Sequence, residues 1–237
     1  MHVQNGLNRR VLGYTFCLML PVAKSIFLIV SALFPIVNPL GGAPIFLSLT
    51  NYYSSEQRKI LSRRIAIDSL LLLVGSFFIG THILAFFGIS IPVVQVGGGL
   101  LVMSAGWKML NSKDENEARQ DVHRTVDMRD LFSKAFYPLT LPLTVGPGSI
   151  SVAITLGANE PGEGRWYLIL GAVIGMFLIA ISVYLCYGFA GRVAQVLGAT
   201  GMTIVMRLSS FLLVCIGFQI LWNGLSALLK TLAVSVH

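Results

Sequence analysis

Charged residues are scarce in this sequence. Asp, Glu, Lys and Arg make up 11% of its 237 residues, whereas hydrophobic residues make up 55%. A soluble domain carries about 25% charged residues, so the composition excludes an ordinary soluble domain and indicates a membrane protein. The net charge of +7 does not indicate nucleic-acid binding. The cations lie in short segments between apolar runs, where they typically set the orientation of a membrane protein.

Cysteine is also rare. Cys17, Cys186 and Cys215 stand singly in apolar stretches and form no Cys-x-x-Cys pair, so we interpret them as small packing residues. The sequence has no His-Glu-x-x-His motif, and the acids and histidines within its apolar runs are too sparse for a metal site or a catalytic pair. We therefore predict no enzymatic activity, no metal and no cofactor.

Long apolar runs are what the sequence does contain. A membrane-spanning helix needs about 20 mainly apolar residues, and four segments meet this requirement without interruption. They are Ile65–Phe87, Ile91–Leu110, Trp166–Ala190 and Thr203–Leu229. Two further segments, near 25–50 and 135–157, are long enough but are interrupted by Pro and Gly. We therefore predict an all-α membrane protein with six transmembrane helices, of which the first and fourth are broken.

The predicted helices divide the chain into two three-helix units, 25–110 and 135–237, joined by a hydrophilic linker at 111–134. Residues 1–24 form an N-terminal extension that has three interpretations. Arg9 and Arg10 before an apolar run resemble a signal peptide, but no clear cleavage site follows. The extension could also be a seventh span, or translation could begin at Met19, which is the interpretation we favour.

The distribution of Lys and Arg predicts the orientation. The connections near 51–64, 111–134 and 191–202 carry ten cations and the opposite side carries five. Because cytoplasmic loops are enriched in Lys and Arg, we predict a cytoplasmic linker and periplasmic termini. A cysteine at position 120, on a background without the native cysteines, should therefore be shielded from an impermeant thiol reagent in intact cells, and one at position 160 should react. The opposite labelling pattern would reverse the orientation.

The two interrupted segments repeat one proline pattern, with the same spacings of four and five residues. Each proline of the first segment has a counterpart 103 residues later. The prolines are Pro35, Pro39 and Pro44 in the first segment and Pro138, Pro142 and Pro147 in the second. A fainter match pairs 98–106 with 209–217 at an offset of 111 residues. Self-similarity of this kind indicates a duplicated architecture.

A repeat of three crossings must place its second copy in the membrane upside down. We therefore predict two inverted-topology repeats, an arrangement that recurs in secondary transporters with a central site reached alternately from either side. Each proline removes an amide donor and frees a carbonyl, and unpaired backbone groups are tolerated only inside protein or against a watery cavity. The breaks would bring two half-helix N-termini towards the membrane midplane, where they suit a carboxylate.

The residues at the breaks form the candidate substrate site. Asn38 supplies an amide donor and acceptor, the glycines allow close backbone approach, and the small polar side chains favour a small zwitterion. The predicted substrate-binding residues are Asn38, Pro39, Gly41, Gly42, Thr144, Gly146, Pro147, Gly148 and Ser149. Asp68 and Arg207, each just inside a span on the predicted cytoplasmic side, form a candidate charge pair or gate element, although both side chains could instead extend to the membrane interface.

These motifs resemble the MarC family of bacterial inner-membrane proteins, also called the small neutral amino acid transporter family, over about residues 25–229. The family pattern Asn-Pro-x-Gly-x-x-Pro-x-Phe is matched by Asn38, Pro39, Gly41, Pro44 and Phe46. Its second pattern, Pro-Leu-x-x-Gly-Pro-Gly/Ala, is matched by Pro142, Leu143, Gly146, Pro147 and Gly148. Arg207 also fits, although Met206 precedes it where the family has Ser or Thr. The sequence departs at Gly42, often Asn or Thr in the family, and at Gln95, often Arg.

The resemblance implies transport of glycine, alanine and similar amino acids across the bacterial inner membrane. The coupling ion (proton or sodium), the direction of transport and the oligomeric state stay open, and membrane lipid is the other expected partner. A passive channel or an exporter of another small solute is the main alternative. A hydrolase using Ser149 and His82 is less favoured, and a thiol carrier is excluded because neither broken segment contains a cysteine.

Overall fold

The computed structural model describes residues 2–50, 52–111, 134–158 and 165–235. Within these ranges the chain forms eight helices and no strand. They are α1 (His2–Val37), α2 (Pro39–Leu49), α3 (Ser55–Phe86), α4 (Ile91–Leu110), α5 (Ala135–Thr144), α6 (Pro147–Ala158), α7 (Arg165–Gly188) and α8 (Ala190–Ser235). The predicted hydrophilic linker, 111–134, lies outside the described residues except at its two ends.

Five helices are long and apolar enough to cross a membrane. These spans are Leu20–Leu49, Ser55–Phe86, Ile91–Leu110, Leu168–Gly188 and Thr200–Thr231. α5 and α6 together pass the same test but are bent by 68° relative to each other, so they form either a sixth, broken span or a re-entrant loop. The prediction of an all-α membrane protein is confirmed, with five or six spans.

Large apolar side chains lie on the outside of the bundle. Phe27 is 75% exposed and Phe86 is 84% exposed, as expected where the surrounding solvent is lipid. Helices in lipid associate through close packing and interhelical hydrogen bonds, because the tails are as apolar as the side chains. The buried core therefore combines apolar residues such as Leu33 and Met176 with glycines at the helix contacts.

The most extensive helix contact joins α4 to α8. A Cβ atom built on Gly106 would lie 2.8 Å from the carbonyl oxygen of Ser210, and one built on Gly99 would lie 2.5 Å from the backbone nitrogen of Leu221. Near the start of α4, the carbonyl of Pro92 faces Gly224 of α8 in the same way. Residues later in α4 contact residues earlier in α8. The two helices therefore run antiparallel, with their backbones in direct contact.

Candidate functional site

The first span is interrupted at a single residue. α1 ends at Val37, Asn38 adopts the left-handed conformation with φ 47° and ψ 57°, and α2 begins at Pro39. Asn tolerates this conformation better than most residues. Its side-chain oxygen accepts a hydrogen bond of 3.0 Å from the Gly41 N–H, which satisfies one of the free donors at the start of α2. The Asn-Pro-x-Gly motif is therefore a helix stop followed at once by a capped helix start.

The other half of the Asn38 amide has no partner. Its Nδ2 atom is buried and makes no hydrogen bond to any described residue. A buried polar group without a partner costs about 1–3 kcal/mol relative to a satisfied one, so such groups call for a functional explanation. Gly41 lies beside this amide, and a Cβ atom built there would also come 2.8 Å from Cβ of Ser209 in α8. The first break therefore presents an unused hydrogen-bond donor between α2 and α8.

The second break has a different geometry. Hydrogen bonds in α5 span five residues instead of four, including the Val145 N–H to Thr140 oxygen bond of 2.8 Å. The backbone leaves helical angles at Tyr137 and Leu141, each of which precedes a proline through a cis peptide bond. The hydroxyl of Thr144 donates a 2.7 Å hydrogen bond to the Leu139 oxygen, again five residues back. The repeated proline spacing therefore coincides with two structurally distinct interruptions.

Two donors at the start of α6 bond to the Gly146 carbonyl. The hydroxyl of Ser149 is buried and donates a 2.9 Å hydrogen bond to the Gly146 carbonyl, which also accepts from the Ile150 N–H at 3.2 Å. Gly148 faces α4, where a Cβ atom would overlap the Val102 side chain and approach the Gly98 oxygen at 3.4 Å. Ser149 therefore holds the turn, and Gly148 permits α6 to approach α4.

Tyr187 of α7 brings the two breaks together. Its side chain is 1% exposed, and its hydroxyl lies 3.0 Å from the Thr144 hydroxyl of the second break. Its ring stacks on Phe46 of α2 with centroids 4.7 Å apart, and a Cβ atom on Gly42 would overlap its hydroxyl. Sequence reasoning missed Tyr187, because a tyrosine inside a long apolar run carries no signal of which neighbours it reaches.

The predicted pair between Asp68 and Arg207 is not present. Asp68 is buried and pairs with Arg64, one turn earlier on α3, at 3.2 Å. Arg207 is exposed on α8. Residues four apart on a helix are neighbours whatever the tertiary fold, so the local partner prevails over the distant one. Ser149 and His82 do not form a pair either, since the Ser149 hydroxyl donates to Gly146 and His82 lies exposed beside Thr81.

Comparison with known proteins identifies the family to which this arrangement belongs. Residues 23–229 match the MarC family of integral membrane proteins. The chain belongs to this family. A membrane protein of Buchnera aphidicola is 32% identical over 197 residues, which cover 83% of this chain and 90% of that protein. The inner membrane protein MarC of Escherichia coli O1:K1 is 30% identical over 220 residues, which cover 90% of this chain and 99% of that protein.

Other MarC relatives agree with this assignment. The inner membrane protein MarC of Salmonella typhimurium is 29% identical over 219 residues, which cover 90% of this chain and 99% of that protein. No solved structure matches the chain. Together with the apolar helices, these relatives identify a multi-pass protein of the inner membrane.

Proposed function

We propose that this MarC-family protein is a secondary transporter that moves small neutral amino acids by alternating access about its two broken segments. The observation that carries the proposal is the meeting of both breaks at Tyr187, which touches Gly42 and Thr144. Breaks that only shaped the packing of separate helices would have no reason to share one side chain. Interrupted helices that converge inside a membrane protein are typical of transporter sites.

The proposal includes an inverted repeat, and the contact between α4 and α8 supports it. Gly106 lies against the backbone of Ser210, and Gly217 lies against the backbone of Gly99. Adding 111 to positions 99 and 106 of α4 gives positions 210 and 217 of α8. Exchanging the two halves therefore converts the contact between Gly106 and Ser210 into the contact between Gly217 and Gly99. Antiparallel helices with exchangeable contacts are what a two-fold axis in the membrane plane produces.

The starts of the two half-helices follow the same relation. Gly41 at the start of α2 faces Ser209 of α8, and Gly148 at the start of α6 faces Gly98 of α4. Gly98 and Ser209 are again 111 residues apart. Each half therefore rests its broken helix on the last helix of the other half, so that both half-helix N-termini would adjoin one site along the α4–α8 pair.

The chemistry at the breaks favours a small ligand with a carboxylate. The free Asn38 Nδ2 is a donor, and the N-terminal turn of a helix such as α6 adds N–H groups and a positive partial charge. At Gly41, Gly42 and Gly148 a single added carbon would collide with a neighbour. A site between such closely packed elements would be narrow, which favours glycine or alanine over a larger solute.

The test is transport by the purified protein in liposomes. We expect saturable uptake of glycine and alanine, with leucine weaker, under a proton or a sodium gradient imposed separately. The Asn38→Ala variant should insert and fold but lose most uptake, because it removes the free donor, while Asn223→Ala, an exposed amide on α8, serves as the matched control. Saturable movement of another solute with no amino-acid response would overturn the substrate assignment.

A passive channel for the same solutes is the alternative, and counterflow distinguishes it. Liposomes preloaded with unlabelled alanine should take up labelled alanine faster than empty ones, because a carrier exchanges its substrate across the membrane. A pore gives no such stimulation. Equal uptake by loaded and empty liposomes would favour the channel.

A further inference from the structure

A cavity opens at the end of the bundle where α3 begins and α7 meets α8. Its volume is about 330 Å³. Three cationic side chains line it, Arg58 and Lys59 from the first two turns of α3 and Arg192 from α8, and none of the described residues in its wall is acidic. The remaining lining residues are Ser55, Tyr187, Gly188, Phe189, Gly191 and Gln195.

The three cations have no counter-ion among the described residues. The ion pair within α3 joins Arg64 to Asp68, and neither of these residues lines the cavity. The guanidinium of Arg192 lies 5.3 Å from the centre of the Phe189 ring, a contact that orients it without neutralising it. Like charges around one cavity repel one another, and a bound anion would offset that repulsion.

The length of α3 indicates that the cavity lies at the level of the lipid headgroups. α3 has 32 residues, which at about 1.5 Å per residue extend roughly 48 Å, well beyond a hydrocarbon core of about 30 Å. Its polar first turns, with Arg58 and Lys59, therefore extend out of that core. On the α8 side, the chain from Ala190 to the non-helical residue Gly198 exposes apolar side chains, including Val196 at 85%, as a segment lying at the membrane interface does.

We propose that this cavity binds a phosphate group, supplied by the headgroup of an anionic phospholipid. Guanidinium groups match phosphate oxygens in geometry, and an ammonium adds a point charge. Basic pockets between transmembrane helices are typical sites for anionic headgroups on the cytoplasmic side, the side on which the Lys and Arg distribution locates these connections. The site does not depend on transport, although its wall includes Tyr187.

Native mass spectrometry of the full-length protein in detergent tests the proposal. We expect the wild type to retain phosphatidylglycerol in preference to phosphatidylcholine. The triple variant Arg58→Gln/Lys59→Gln/Arg192→Gln should bind phosphatidylglycerol about a hundredfold more weakly, since each cation near an anionic headgroup strengthens binding roughly fivefold. Arg63→Gln removes an exposed cation outside the cavity and should bind as the wild type does.

Two further arms identify the source of the phosphate and control for folding. Arg58→Lys/Arg192→Lys keeps the charges and should keep most of the binding, so a loss in the triple variant alone reports charge. Inorganic phosphate, compared with chloride at equal ionic strength, should raise the melting temperature less than phosphatidylglycerol does; an equal effect without lipid retention would contradict the lipid source. Undiminished lipid binding by the triple variant, or no preference for phosphatidylglycerol in the wild type, would overturn the proposal.

Discussion

Replacing Gly99 with alanine should destabilise the protein, whereas the same change two residues earlier, at Gly97, should not. A Cβ atom at Gly99 would lie 2.5 Å from the Leu221 nitrogen and 2.7 Å from the Gly217 oxygen. Both are backbone atoms of α8, so no side chain can rotate out of the way. Overpacking of this kind costs about 1–3 kcal/mol and sometimes more. A Cβ atom at Gly97 would meet nothing within 4 Å, and alanine is the better helix former by about 1 kcal/mol.

Thermal unfolding of purified protein in detergent, followed by tryptophan fluorescence, measures the difference. The expected order of melting temperatures is Gly97→Ala at or above the wild type, and Gly99→Ala below it. Gly217→Ala should resemble Gly99→Ala, because its Cβ would lie 2.8 Å from the Gly99 oxygen across the same contact. Equal melting temperatures for Gly97→Ala and Gly99→Ala would show that α4 and α8 do not pack backbone to backbone.

The variant Gly42→Ala should also be destabilised, and Tyr187→Phe should rescue it. The added methyl overlaps the Tyr187 hydroxyl, and the ring cannot move easily because it is buried and stacked on Phe46. Removing the hydroxyl leaves the ring carbon Cζ as the nearest atom, at 3.3 Å, a contact that a small shift accommodates. Tyr187→Phe alone should cost only about 0.5–1.5 kcal/mol, because the Thr144 hydroxyl still donates to the Leu139 oxygen.

A double-mutant cycle provides the measurement. The Gly42→Ala/Tyr187→Phe protein should unfold at a higher temperature than Gly42→Ala, so the two changes should be coupled by at least about 1 kcal/mol. Tyr184→Phe, which changes a more exposed tyrosine of the same helix, should give no rescue in combination with Gly42→Ala. Additive effects of the two changes at positions 42 and 187 would place the Tyr187 hydroxyl away from Gly42.

The resemblance to the MarC family leads to an expectation of Asn or Thr at position 42, and the structure gives a physical reason for glycine here. The Tyr187 hydroxyl occupies the space that a longer side chain would need. A local motif predicts the backbone conformation of the break, because Asn38 and Pro39 are enough to determine it. It does not report the size of a side chain that approaches from a helix about 145 positions away.

The same distinction separates the helices that were predicted correctly from the pairing of Asp68 with Arg207, which the structure does not contain. Runs of apolar residues measure the length of a span directly, so α4 and α7 were predicted to within two residues of their observed bounds. The helices α3 and α8 begin about ten residues or more before their predicted apolar spans, because their first turns are not part of the apolar run. To predict the partner of Asp68, one must know which side of α3 faces α8. The length and hydropathy of the apolar runs carry no information about this orientation. Arg64 is the closer partner. The five-residue hydrogen bonds of α5 were equally inaccessible, because proline spacing predicts a break but not its geometry.

The substrate-binding roles of Asn38, Thr144 and the glycines at the breaks stay predictions, but the structure divides these residues by what each one touches. Asn38 keeps a free donor, Thr144 touches Tyr187, and Ser149 is occupied by its own turn. A Cβ atom on Gly146 would meet one neighbouring atom, the Pro142 oxygen, at a close 3.2 Å. Of the predicted set, Asn38 is therefore the residue best suited to contact a ligand directly.

Backbone contact between α4 and α8 also constrains how the protein moves. Where glycines face main-chain atoms, few side-chain atoms lie between the helices, so little rotamer rearrangement is available to let one helix slide along the other. We therefore expect α4 and α8 to move together as one rigid unit. Displacements that alter the two breaks must then be absorbed elsewhere, at Asn38, which is the single non-helical residue of its span, and at the 68° corner between α5 and α6. If the protein moves as proposed, we therefore expect its shortest helices, α2, α5 and α6, to be the parts that move.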